Sequence, residues 1–174
     1  TFSQVETLDF SSADTEPIAY NGAFDDGTFG YTLPGRKLIP WRSGYSFSSH
    51  GKAVRFDLET FTSFQVLDWA AVDPDLQTQY DGGFQDGTYG YLIPASGTKL
   101  ARFDLATFSQ VAVLDLSTTD TDLDGYSGGF AVNGHYGYLV PNANSGIRGC
   151  DSNNVCFGYN SKVVRIDLAT FTVG

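Results

Sequence analysis

Residues 120–125 read Asp-Thr-Asp-Leu-Asp-Gly, the densest run of chemistry-bearing side chains in the sequence. Carboxylates at alternate positions followed by glycine let a loop wrap a hard cation in oxygen ligands, so Asp120, Asp122 and Asp124 are candidate calcium ligands. The run departs from an EF-hand, whose twelfth position would be a bidentate glutamate and here is Ala131. Shorter counterparts stand at Asp73-Pro-Asp75 and Asp14-Thr-Glu16. The plainer reading of such acids is that they cap turns in water.

A second set lies in residues 35–51, where Arg36, Lys37, Trp41, Arg42, Tyr45, Phe47 and His50 gather cations and aromatics within an acidic molecule. Trp41, Arg42, Tyr45 and Phe47 are the candidate contact residues. Aromatic and arginine side chains suit a protein hot spot, and an indole or phenol face also stacks on a sugar ring. The plainer reading is that they cover an edge of their own domain. Cys150 and Cys156 form a third patch in residues 142–161; paired, they would close a small loop and point to an oxidising, extracellular setting. Catalysis finds little footing. His50 and His135 have no nucleophile signature beside them, and nothing selects one carboxylate pair from the many for glycoside hydrolysis. A non-enzymatic role is expected, with a propeller hydrolase as a remote alternative.

These residues hang on one unit written three times. Tyr20–Pro34, Tyr80–Pro94 and Tyr126–Pro141 read YNGAFDDGTFGYTLP, YDGGFQDGTYGYLIP and YSGGFAVNGHYGYLVP. Each is followed by an Arg-x-Asp-Leu-x-Thr-Phe segment, RFDLETF at 55–61, RFDLATF at 102–108 and RIDLATF at 165–171. A fixed internal period means a modular architecture. The second unit is the most compact: Tyr89, Tyr91 and Ile93 alternate with Leu92, Pro94 ends the strand, and 95–98 turn the chain into Lys99–Leu105. There Phe103 and Leu105 share a face opposite Arg102 and Asp104. A further turn leads to 108–116, and Asp86-Gly87 marks a hairpin before all of these. Four short antiparallel strands in about 47 residues make one β-propeller blade. The arginine and aspartate two residues apart read as a structural ladder. Between second and third strands the units differ, with a minimal turn in the second and long insertions in the first and third, where specificity is expected.

The fold expected is therefore all-β, with three propeller-like four-stranded antiparallel blades. The units run approximately over 1–59, 60–106 and 107–169, with a fourth opening at 170–174. Three blades are fewer than the four to eight of an ordinary ring, so they read as an excerpt of, or an assembly into, a propeller or array; a threefold β-trefoil-like closure is the alternative. The start without methionine, at a fourth strand over 1–10, suggests a processed chain or a piece of a longer one.

Composition agrees. Twenty glycines, 14 phenylalanines and 10 tyrosines favour strands and turns. A net charge of −10 repels phosphate backbones and anionic lipid, which argues against nucleic acid, and no apolar run approaches the ~20 residues of a membrane span.

The run GGFQDGTYGYLIP, a variable loop, KLARFDLATF and then VAVLDL resembles a tandem repeat found in long multi-repeat proteins of marine algae and other protists. The resemblance covers nearly all of the chain outside the two insertions. It implies propeller-like blades in secreted or surface proteins, and no catalytic residues. The chain departs from it at Ala23, where the second glycine would stand, and at AVNG over 131–134. Together these readings lead to an extracellular or cell-surface module, structural or adhesive, that binds protein partners or itself, with a carbohydrate-binding module as the alternative.

Overall fold

The structure, a computed structural model, describes residues 5–13, 18–41, 44–76, 79–109, 111–142, 149–150, 156–157 and 160–174. It is all-β, and each of its three large antiparallel sheets holds one copy of the Tyr-to-Pro repeat with the Arg-x-Asp segment that follows it. The first sheet runs β1 (Ile18–Asp25), β2 (Phe29–Trp41), β4 (Lys52–Asp57) and β5 (Phe64–Asp68), with β3 (Gly44–Ser49) paired to the far end of β2. The second runs β6 (Tyr80–Gln85), β7 (Tyr89–Pro94), β8 (Lys99–Asp104) and β9 (Val111–Asp115). The third runs β10 (Tyr126–Val132), β11 (Tyr136–Pro141), β14 (Val164–Asp167) and β15 (Thr172–Val173), and β12 (Gly149–Cys150) and β13 (Cys156–Phe157) form a separate hairpin. Each sheet is a propeller-like blade. The sheets remain separate and close no common barrel, so these repeats do not take up the β-trefoil arrangement. Among the described residues no helix is long and apolar enough to cross a membrane.

Register repeats with the sequence. Tyr20 pairs with Pro34, Tyr80 with Pro94 and Tyr126 with Pro141, and each pairing is followed by a bulge. Gly22 and Gly82 sit in those bulges at φ of 79° and 80°, a left-handed conformation that glycine adopts freely. A Cβ built on Gly22 would lie 2.6 Å from the Gly82 amide nitrogen, so the innermost strands of the first two blades touch backbone to backbone. The Asp-Gly turns are tied by their own side chains. Asp26 Oδ1 accepts from the amides of Thr28 and Phe29 while Oδ2 accepts from the Tyr31 hydroxyl at 2.7 Å, and Asp86 repeats this with Thr88, Tyr89 and Tyr91. The third unit replaces this device with Asn133-Gly134, both at positive φ, a tight hairpin turn that needs no aspartate.

The core lies between blades. Strand alternation sends Leu92, Phe103 and Leu105 of the second blade against Tyr31, Leu33 and Trp69 of the first. The opposite face of the second blade sends Tyr91, Ile93 and Leu100 against Leu139, Ile166 and Leu168 of the third. Both faces of a middle blade are thus buried, at roughly 1.5–3 kcal/mol per large apolar side chain.

Two local features depart from the repeat. Pro34, unlike Pro94, does not end its strand; β2 runs on through it, because residues 36–41 find one-to-one partners in 44–49. Residues 5–10 carry the fourth-strand sequence but form no strand, since no third-strand edge lies beside them among the described residues. Phe10 instead packs on Tyr20, Phe56 and Phe64.

Candidate binding surface

The first insertion is a β-hairpin built on the extension of β2. Arg36 pairs with Ser49, Leu38 with Phe47, Pro40 with Tyr45 and Trp41 with Gly44. By the two-residue alternation of strands, positions 45 and 47 fall on one face with 38 and 40, while position 41 falls on the other. The register therefore brings two of the candidate contact positions together at the tip and sets Trp41 opposite them; Arg42 lies outside the described residues.

His50 anchors the hairpin base instead of joining its surface. It is buried, Nδ1 accepts from the Lys52 amide at 3.3 Å, and Nε2 lies 2.8 Å from the Ala19 carbonyl oxygen. The Gly35 amide also lies 3.2 Å from Nε2, and the ring meets Tyr20 edge to face. Arg36 Nε donates to Gln79 Oε1 at 3.1 Å, linking the hairpin root to the second unit.

The acidic loops meet lysines. Lys162 Nζ donates to a carboxylate oxygen of Asp120 and lies 3.5 Å from Asp122 Oδ2. One unit earlier, Lys99 Nζ reaches Asp73 at 3.1 Å and Asp75 at 2.8 Å. Hydrogen bonds to these acids hold both ammonium groups above the ordinary lysine range. Asp124 is buried, and its carbonyl oxygen accepts from Asn160 Nδ2 at 2.7 Å. Asp120 and Asp122 are thus brought together around Lys162, with Asp124 turned to a different task. The sequence carried a signal for this in the in-phase lysines 52, 99 and 162.

The Arg-x-Asp segments divide their labour instead of forming a ladder. Arg55 Nη1 donates to the Leu105 carbonyl at 3.0 Å, and Arg102 Nη1 to the Leu168 carbonyl at 3.1 Å, each reaching into the next blade. Each guanidinium lies between two rings, Phe29 and Phe108 for Arg55, Tyr89 and Phe171 for Arg102. The aspartates turn the other way: Asp57, Asp104 and Asp167 accept from the amides of Thr60, Thr107 and Thr170. These turns place Phe61, Phe108 and Phe171 at φ near 50°, an uncommon conformation for an aromatic residue; the Phe108 and Phe171 rings meet Arg55 and Arg102, and the Phe61 ring meets Phe56 edge to face.

In the second insertion Cys150 pairs with Cys156 in the backbone register of β12 and β13. The rest of the insertion, over 143–148, 151–155 and 158–159, lies outside the described residues. A cleft of about 360 Å³ also opens between the first two blades, lined by Asp26, Phe29, Gln85 and Leu105, with the Asp26 carboxylate committed to its turn.

No family model and no curated protein matches this chain. Among solved structures it is similar to Kuenenia stuttgartiensis hydrazine synthase, at 14 % identity and a TM-score of 0.54. The match covers 92 % of this chain and 36 % of that one, so the chain spans little more than a third of that neighbour's length. At this identity the likeness bears on the fold alone.

Proposed function

We propose that this chain is a non-enzymatic structural or adhesive module of the extracellular space or cell surface, built of repeat blades of the kind its sequence resembles, and that it binds protein partners through its inserted hairpins. One observation carries the reading. The first and third units, unlike the second with its short turn at 95–98, extend between their second and third strands into hairpins, and the first of these carries aromatic positions toward its tip. Such a tip suits an aromatic or apolar partner surface. The facing positions of Cys150 and Cys156 support a disulfide, because directly opposed strand residues have Cα separations within the range that a disulfide spans. Oxidation there fits the extracellular setting.

The test compares the wild type with a Trp41→Ala/Tyr45→Ala variant. Retained melting temperature with lost binding to extracellular-matrix proteins supports the reading; unchanged binding overturns it. The carbohydrate reading draws on the same aromatic positions. It takes over if the wild type binds a glycan array and no protein, with the signal lost in the variant.

A further inference from the structure

We propose that the outer edge of β3 takes up an extended acidic segment of a partner protein as an added strand of the first sheet. This rests on the reading that the first hairpin binds protein, and it gives that partner its chemistry. The pairing leaves an open line beside the hairpin. Lys37 pairs with Ile18 of β1 on one side and with Ser48 of β3 on the other, so β3 continues the line of β4 along β2. β5 covers β4 as far as the pair of Lys52 with Asp68, and the Trp69 amide then donates to the Gly51 carbonyl at 2.7 Å. There the chain leaves the sheet, since the Val72 and Asp73 amides both turn back to the Trp69 carbonyl. Beyond that point β3 pairs with β2 alone among the described residues, and an added strand would resume the line that β5 leaves.

Proline fixes which main-chain groups face that line. Pro40 has no N–H, so in a paired strand it stands where an N–H would point away from its partner. It pairs with Tyr45, and in an antiparallel ladder both members of such a pair turn their main-chain groups outward. By alternation Tyr45 and Phe47 therefore offer N–H and C=O groups along the outer edge of β3, whereas the β2 edge of the hairpin has lost its donor at Pro40. β3 itself reads Gly-Tyr-Ser-Phe-Ser-Ser, without the proline or charge that ordinarily guards an edge.

Charge selects the occupant. Residues 27–56 hold five of the chain's ten basic residues, Arg36, Lys37, Arg42, Lys52 and Arg55, and none of its twenty acidic ones. The outer strands β5 and β9 lie outside this stretch and carry Asp68 and Asp115. A second copy's β3 laid along this edge would bring two basic hairpins together, and a long polyanion such as nucleic acid would meet the acidic remainder of the chain. A short acidic segment meets neither obstacle. Register puts positions 45 and 47 on one face with Leu38 and Pro40, and Lys37 on the other, so the segment that fits alternates apolar side chains with carboxylates.

Fluorescence anisotropy with a labelled alternating peptide, Glu-Val-Glu-Val-Glu-Val-Glu, tests this. Saturable binding is expected, with hydrogen exchange slowed at the Tyr45 and Phe47 amides. N-methylation of the peptide at alternate residues is expected to weaken binding about tenfold or more in one of its two phases, and Phe47→Pro to bind about tenfold less tightly than Phe47→Ala at an equal melting temperature. No binding by the wild type overturns the proposal, as does affinity unchanged by N-methylation in either phase, or matched by the Lys-Val counterpart or by single-stranded DNA. A melting temperature lowered in Phe47→Pro alone shows that amide already used within the chain, and overturns it too. Protection of the two amides without peptide, in a concentration-dependent dimer, assigns the edge to a second copy instead. If the peptide fails while matrix proteins still bind through Trp41 and Tyr45, strand addition falls and the hairpin reading stands.

Discussion

The guanidinium of Arg55 reaches fifty residues along the chain to donate to the Leu105 carbonyl oxygen, and on the way it passes between the rings of Phe29 and Phe108. Its Nε donates to Gln65 at 2.7 Å, so this mostly buried cation is satisfied by groups from two blades. Arg55→Ala removes a charged hydrogen bond and leaves a buried carbonyl unpaired; the expected loss is about 2–4 kcal/mol in chemical denaturation. Arg55→Lys recovers only part of it, because an ammonium cannot fill the planar slot between two rings.

Gly83 and Ala23 occupy equivalent positions and should respond unequally. A Cβ at Gly83 would sit 2.5 Å from the Tyr91 carbonyl oxygen as well as against Leu33, so Gly83→Ala is expected to cost about 1–3 kcal/mol. Ala23→Gly adds only chain entropy to the unfolded state and is expected to cost less than about 1 kcal/mol. Thermal melts of the two variants decide the matter.

The contrast shows what was legible in the sequence. Alternation assigned Phe103 and Leu105 to one face and Arg102 to the other, and three in-phase copies fixed the strand order, because local periodicity records which side of a strand is buried. It does not record which carbonyl lies across the interface, so the Arg-x-Asp pairs read as a ladder when the arginine works on the next blade and the aspartate on its own turn. The insertion at 35–51 read as a loop because proline ordinarily ends a strand; the pairing of 36–41 with 44–49 was hidden by irregular composition. Spacing alone grouped Trp41 with Tyr45 and Phe47, and register separates it from them.

Acid should unfold the protein through its turn-capping aspartates. The Thr60 amide, then its hydroxyl, hold Asp57 below the ordinary carboxylate range, and Thr107 and Thr170 do the same for Asp104 and Asp167. A carboxyl with a lowered folded-state pKa stabilises the fold when ionised, so its contribution is present above the unfolded value and lost as pH falls through the folded one. The melting temperature is therefore expected to hold steady from neutrality down to about pH 4 and to drop below it. The triple Asp→Asn variant should show a shallower drop.

The acidic loop at 120–125 makes a separate prediction about cations. Lys162 already supplies a positive charge to Asp120 and Asp122, so a calcium ion would have to displace it. The melting temperature of the wild type is expected to be the same in calcium and in chelator, whereas in Lys162→Met added calcium should raise it. A chelator-sensitive wild type would place calcium at the loop instead. The ion pair is half-exposed and screened by water, and Lys162→Met in chelator should leave the melting temperature nearly unchanged.

β2 enters the first blade at Phe29, crosses its core at Tyr31 and Leu33, and reaches Trp41 without a break. At about 3.3 Å per residue it is a lever some 40 Å long whose fulcrum is the sheet itself. A pull at the hairpin tip would travel along this strand into the ladder with β4, where backbone hydrogen bonds share the load side by side. The hairpin and the blade are in this sense one mechanical part, joined by a single strand.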